Sequence, residues 1–131
     1  MTELSVLRHD EGIRVDGRRV VELYDELGAT AAELVIGRAA EELAAALEGL
    51  VAAARSEAEA EGHAARLGLR AQSLGALAWQ VGLASLAQVA ADVAVCAERG
   101  DHPALAATLA RLERVGNRSL TAVWDAQDIR R

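Results

Sequence analysis

The sequence contains no lysine and no phenylalanine, and only one cysteine and one proline among its 131 residues. Aromatic residues make up 2% of the chain although 52% is hydrophobic, so leucine, valine and alanine must build the core. The single cysteine, Cys96, excludes an intramolecular disulfide and a thiolate metal cluster, and its helical spacing predicts an inert core thiol. Scarce proline, abundant alanine and apolar residues at helical spacing together favour an all-α fold in a single domain.

The charge balance argues against nucleic acid as a partner. The net charge is −6, and all 14 basic residues are arginines that lie scattered along the chain. Nucleic-acid binding depends on neutralising phosphates with clustered basic residues. The pairs Arg18-Arg19 and Arg130-Arg131 are too short for that purpose, so we expect these charges to form a solvated surface.

The sequence also argues against export and membrane insertion. The first residues, MTELSVLRHDEG, lack the apolar region of a signal peptide. Residues 71–91 carry no charge, but glutamines and serines interrupt the run and much of the remainder is alanine, which inserts weakly. We therefore expect a cytoplasmic protein with no membrane partner.

Capping signals and apolar spacing divide the chain into five predicted helices. The first predicted helix is capped by Asp16 and ends at Leu27, where Gly28 closes it. The second runs from a capping box at Thr30-Ala31-Ala32-Glu33 to about Ala60. The third runs from His63 to Val81, the fourth runs from Ala84 to Arg99, and Asp101-His102-Pro103 opens the last. We expect an irregularity in the last helix at Gly116-Asn117, and the only strand-like fragment is Ile13–Val15.

These helices predict an antiparallel up-down four-helix bundle with the short N-terminal helix covering one end. Residues 1–16 form a weakly structured arm ahead of the domain at 17–131. The predicted core residues recur at helical spacing and are Val20, Tyr24, Leu27, Ile36, Leu43, Leu47, Leu50, Ala54, Leu67, Ala71, Leu74, Ala78, Val81, Leu86, Val89, Val93, Cys96 or Ala97, Leu105, Leu109, Leu112 and Val123.

The usual catalytic and metal-binding constellations do not occur in this sequence. His9, His63 and His102 lie in different segments without a partner at i, i+4, which argues against a metal site. No Gly-rich phosphate loop follows a strand, nothing suggests a hydrolytic triad, and the acid-rich second helix shows no inward carboxylates. We expect no enzyme activity, no metal and no cofactor.

The outer face of the third helix is the remaining candidate for function. The neighbours of Gln72 at i±3 and i±4 are Gly68, Leu69, Gly75 and Ala76, three of them glycine or alanine. Two glycines inside one helix cost roughly 2 kcal/mol relative to alanine, so some interaction must offset this cost. Two interpretations are equally open: close helix–helix approach, or a partner that reaches the backbone around residue 72.

On the second interpretation the partner-docking residues are Gly68, Leu69, Gln72, Gly75, Ala76 and Trp79. We expect Trp79, one turn beyond Gly75 and Ala76 on this face, to be partly buried.

Residues 71–86, AQSLGALAWQVGLASL, resemble the signature of histidine-containing phosphotransfer (HPt) domains, the four-helix-bundle intermediates of bacterial phosphorelays. That signature is a His, two residues, Lys-Gly, and after a short gap a Gly that ends the helix. When the chain is aligned with this signature, Gln72 takes the position of the phospho-accepting His and Gly75 takes the position of the Lys. Ala76 then takes the position of the Gly after the Lys, and Gly82 takes the position of the helix-ending Gly.

The resemblance covers about residues 17–125, with Gly62 and Leu67 at the usual loop Gly and following Leu, and Gly100-Asp101 between the last two helices. The chain departs from the family at the reactive centre. The reaction of the family needs an imidazole nitrogen as nucleophile, whereas the nitrogen lone pair of the Gln72 amide is delocalised and the chain has no Lys.

The resemblance therefore implies a non-phosphorylatable HPt-like protein that binds a response-regulator receiver domain or a histidine kinase and modulates a phosphorelay. The alternative is a structural helical protein that forms a homodimer through the uncharged face of helix 64–81. A less favoured hypothesis is an active phosphotransfer protein that uses His63, because His63-Ala64-Ala65-Arg66 imitates the His and Lys spacing. His63 lies at the start of its helix without the downstream Gly, so we expect it to be solvated or to cap the helix.

Overall fold

The computed structural model describes residues 13–56 and 61–130, with side chains up to Gln127. This part of the chain folds into five α-helices and contains no strand, which confirms the all-α prediction. The helices are α1 (Gly17–Leu27), α2 (Ala29–Arg55), α3 (His63–Gln80), α4 (Ala84–Arg99) and α5 (His102–Arg130).

Helix α1 begins and ends as the sequence predicts, but a different residue anchors it. The Asp16 carboxylate accepts hydrogen bonds from two backbone N–H groups of the first turn, and Gly28 closes the helix at φ +82°. Leu23 is the buried residue of α1, while Leu27, a predicted core residue, is exposed. Leu27 is the last residue of the helix, which leaves it beyond the packed face.

Helix α2 begins two residues earlier than the capping box predicts, because Gly28 alone joins it to α1. Gly28 is the N-cap of α2 and makes no side-chain capping bond, so Thr30 lies inside the first turn and the predicted capping box is wrong. At the other end α2 stops at Arg55, and Ser56 is already extended. The predicted extension to Ala60 is therefore wrong at Ser56, and residues 57–60 lie outside the described part.

The boundaries of α3 and α4 agree with the prediction to within one residue. Gly62 precedes α3 at φ +76° and Gly100 closes α4 at φ +67°, both in the left-handed region that favours glycine. The predicted irregularity in α5 is wrong, since the helix runs without interruption through Gly116. Gly116 does not interrupt the helix but leaves room for the Leu47 side chain, because a Cβ at position 116 would stand 2.6 Å from Leu47 Cδ2.

The helices pack in a fixed order around a core of leucine, valine and alanine. Helix α3 packs on α4 and on α2, α5 packs on α4 and on α2, and the main helix neighbour of α1 is α2. The largest fully buried apolar side chains are Leu43, Leu50, Leu74, Leu83, Leu86, Val89, Val93 and Leu112. All but Leu83 were predicted core residues. Ala97 is buried and Cys96 only half-buried, which settles the inward residue of the last turn of α4.

Within the described part of the chain, no helix is both long and apolar enough to cross a membrane.

Candidate docking surface on helix α3

Helix α3 turns an apolar, uncharged face to solvent at its centre. Leu69 is 63% exposed and Trp79 is 60% exposed, and Gln72 and Ala76 between them are also exposed. Gln72 is thus solvent-exposed in mid-helix, as its spacing predicts. Trp79 is more exposed than expected. We call these four residues the α3 surface.

Gly68 and Gly75, which the sequence also places in the docking set, pack against α4. Gly68 is buried, and a Cβ there would stand 3.3 Å from the Cβ of Ala97. A Cβ at Gly75 would stand 3.2 Å from the Cβ of Ala90. Both glycines therefore let α4 approach α3, and the helix-packing interpretation accounts for them.

The same contacts fix the relative direction of the two helices. Gly68 precedes Gly75 by seven residues on α3, whereas their partners Ala97 and Ala90 are seven residues apart in the opposite order. Helices α3 and α4 therefore run antiparallel with a seven-residue repeat of small residues between them. The α3 surface lies on the solvent side of this contact.

The charged residues of α3 point away from the α3 surface. Arg66 and Arg70 are the only charged side chains of the helix, and it contains no carboxylate. Arg66 Nη1 donates a hydrogen bond of 3.1 Å to the carbonyl oxygen of Glu61, before the start of α3. Arg70 Nη1 reaches α2, where it lies 3.5 Å from the Cβ position of Gly49. The centre of the surface is therefore electrically neutral.

The histidines of the described part lie away from Gln72. His63 is the first residue of α3, nine residues and therefore about 13 Å of helix rise before Gln72. His102 opens α5 and is exposed, and His9 lies outside the described residues. Residues 13–56 and 61–130 contain no group of three His, Cys, Asp or Glu side chains placed to hold a metal ion.

The sequence analysis missed a contact at the C-terminal end of α3. Residues 13–19, which we call the strap, lie across the turn that joins α3 to α4. Ile13 is 3% and Val15 is 8% exposed, so the end of the predicted weakly structured arm is anchored. The backbone N–H of Asp16 donates a hydrogen bond of 2.6 Å to the carbonyl oxygen of Gly82. The alternation of Ile13 and Val15 with polar residues was the available signal.

No protein-family model, curated protein or solved structure matches the chain. Its function therefore has to be inferred from the chemistry and exposure of its own residues.

Proposed function

We propose that the chain is a degenerate HPt-like protein that docks a receiver domain or a histidine kinase on the α3 surface without carrying phosphate. The observation that carries this proposal is Gln72, exposed at the middle of α3 between the exposed apolar side chains of Leu69 and Trp79. Gln72 stands at the position that the resemblance gives to the phospho-accepting His. A partner that recognises such a helix face would meet an apolar surface with no reactive group at its centre.

The proposed architecture is an antiparallel up-down four-helix bundle of α2 to α5, with α1 covering one end. It is supported by the order of helix contacts, α2 on α3, α3 on α4, α4 on α5 and α5 on α2. The opposed order of the Gly68–Ala97 and Gly75–Ala90 contacts supports the antiparallel direction of the α3–α4 pair. A bundle of this kind would present α3 as one straight, rigid edge to a partner.

The absence of phosphate chemistry in the proposal rests on two substitutions. An amide nitrogen at position 72 cannot act as the nucleophile, because its lone pair is delocalised into the carbonyl. Gly75 stands at the position of the family's Lys and faces α4, so no cation there balances a phosphoryl group. The protein would act by competing for, sequestering or scaffolding its partner.

The test is a binding titration with purified receiver and histidine kinase domains and a pair of matched leucine variants. Leu69→Asp places a charge in the α3 surface, whereas Leu34→Asp places the same charge on α2 at a leucine that is 70% exposed. We expect Leu69→Asp to weaken binding at least about thirtyfold, the effect of losing an interface hot spot of about 2 kcal/mol. Leu34→Asp should bind like the unchanged protein, and equal losses in both variants would refute docking on α3.

Self-association through the α3 surface is the second candidate function. It is favoured by two large apolar side chains, Leu69 and Trp79, exposed at 63% and 60% on one helix face. A homodimer would bury them against their own copies. Sedimentation velocity separates the two candidates: a monomer favours a different partner, and a dimer that Leu69→Asp dissociates favours self-association.

A further inference from the structure

The strap, residues 13–19, supplies hydrogen-bond partners to the C-terminal end of α3 from outside the helix. The last carbonyl groups of a helix have no partner within the helix and carry partial negative charge. Arg19 Nε donates a hydrogen bond of 2.7 Å to the carbonyl oxygen of Gln80, the last residue of α3. The guanidinium group thus places a positive charge at the negative end of the helix dipole.

The strap also bonds to the first turn of α4. The N-cap of α4 is Leu83, which makes no side-chain capping bond. The Arg14 backbone N–H donates to Ser85 Oγ at 2.6 Å, and its carbonyl accepts from the Ser85 N–H at 3.3 Å. Together with the Asp16–Gly82 bond, these contacts join the strap to both sides of the α3–α4 turn.

Gly82 is the position where this contact demands the absence of a side chain. A Cβ at Gly82 would stand 2.8 Å from the carbonyl oxygen of Asp16, closer than atoms of these kinds approach. Gly100 has a similar φ of +67° against +79° at Gly82, but a Cβ there would meet nothing within 4 Å. The two glycines share a positive φ and differ in the strap contact, so substitutions at them form a matched pair.

The end of α3 that the strap holds is also the end that carries Trp79. Trp79 precedes Gln80, and its carbonyl oxygen accepts a hydrogen bond of 3.1 Å from the Gly82 N–H. The indole is 60% exposed, so little packing fixes it apart from the backbone of this last turn. Loss of the strap contacts would remove the external support from the turn that positions Trp79.

We propose that the strap is a conformational device that fixes the last turn of α3, with Arg19 as the positioning residue, and thereby holds Trp79 in the α3 surface. The consequence for a partner rests on the function proposed above: release of the strap weakens docking. Because coupling between two sites is reciprocal, a partner bound over Trp79 would in turn favour the engaged strap. A factor that binds or displaces the strap would then regulate docking without touching α3.

The test compares Gly82→Ala with Gly100→Ala in a Trp124→Phe background, where Trp79 is the only tryptophan. Hydrogen exchange of the Asp16 and Ser85 amides reports the strap, and the fluorescence anisotropy and emission maximum of Trp79 report the end of α3. We expect Gly82→Ala to speed exchange of both amides at least about tenfold relative to Gly100→Ala, as local opening does. The anisotropy of Trp79 should fall in the same variant only.

Arg19→Met provides a second variant in case Gly82→Ala does not fold. It removes the charged donor to Gln80 and keeps an apolar side chain of similar length, so the anisotropy of Trp79 should again fall. The proposal would be overturned if the Asp16 and Ser85 amides exchanged freely while the fluorescence anisotropy of Trp79 stayed unchanged. Unchanged exchange of the strap amides in both Gly82→Ala and Arg19→Met would also overturn it.

Binding of a receiver or kinase domain to the same variants separates this proposal from the proposed function. Partner affinity should fall about tenfold in Gly82→Ala and stay unchanged in Gly100→Ala, a difference that would support regulation through the strap. If the partner bound Gly82→Ala and Gly100→Ala with equal affinity although the anisotropy of Trp79 fell in Gly82→Ala, regulation through the strap would be overturned. If the unchanged protein binds none of the domains, the proposed function fails, whereas the Trp79 signal still decides whether the strap holds α3.

Discussion

Gly75 of α3 lies against Ala90 of α4, so close that a Cβ atom at position 75 would stand 3.2 Å from the Cβ of Ala90. Gly68 has the same relation to Ala97, at 3.3 Å. Each glycine costs up to about 1 kcal/mol of helix propensity, which close packing between the helices offsets. The small residues of α3 therefore serve the fold, and in the proposed function recognition would fall to the exposed side chains beside them.

Leucine substitutions at these glycines test their packing role. Gly68→Leu and Gly75→Leu should each lower the free energy of unfolding by about 1–3 kcal/mol, because the added side chain overpacks the contact with α4. Gly49→Leu is the control, since a Cβ there would make an ordinary contact of 3.5 Å with Arg70 Nη1. It should leave stability unchanged or raise it by up to about 1 kcal/mol in urea unfolding. If Gly75→Leu matched Gly49→Leu, position 75 would lie on an open surface after all.

Two alanine substitutions separate a true helix cap from an apparent one. Asp101 Oδ1 accepts a hydrogen bond of 3.1 Å from the Ala104 N–H, so Asp101→Ala should cost about 0.5–2 kcal/mol of stability. Thr30→Ala should cost much less, because Thr30 lies within the first turn of α2 and Gly28 is the N-cap. Thermal unfolding of both variants gives the comparison, and an equal loss would reinstate the capping box at Thr30.

Ser119 is a buried polar residue whose removal should stabilise the protein. Its side chain is 1% exposed, and its Oγ has no hydrogen-bond partner among the described residues. Ser119→Ala should raise the free energy of unfolding by about 1 kcal/mol, because an unpaired buried hydroxyl carries a desolvation cost. Ser73→Ala, at an exposed serine of α3, is the control and should change little. A loss of stability in Ser119→Ala would mean that the hydroxyl does find a partner.

The sequence predicts the helices well because their signals are local. Apolar spacing identifies the buried face of α3, from Leu67 to Ala78, and glycines such as Gly62 and Gly100 mark the helix ends. One error, at the start of α2, is itself local. Thr30 resembles a cap until Gly28 is seen to end one helix and begin the next.

The exposure of Gln72 was predictable, but the high exposure of Trp79 and the packing of the two glycines were not. The spacing around Gln72 places it correctly on the outer face, yet the same spacing cannot tell whether a neighbouring glycine meets solvent or another helix. Gly68 and Gly75 meet α4 at Ala97 and Ala90, residues that lie more than a dozen positions away in the sequence. The strap escapes prediction for the same reason, since Arg14 and Ser85 are 71 residues apart.

The protein should accept no phosphoryl group from a kinase or a phosphorylated receiver domain. Gln72 offers no nucleophile, and His63 lies about 13 Å of helix rise away from it. The measurement is acid-labile, base-stable labelling with a panel of phosphodonors, with an active HPt domain as positive control. Labelling that disappears in His63→Ala would contradict this prediction and would identify His63 as the acceptor.

The most direct measurement of docking on α3 is an amide chemical-shift map of the isotope-labelled protein titrated with a receiver domain or a histidine kinase domain that binds it. If the proposed function is correct, the largest shifts will cluster at Leu69, Gln72, Ala76 and Trp79, with small shifts at Leu34 on α2. Shifts centred on Leu34, or spread without a cluster on α3, would contradict docking on the α3 surface.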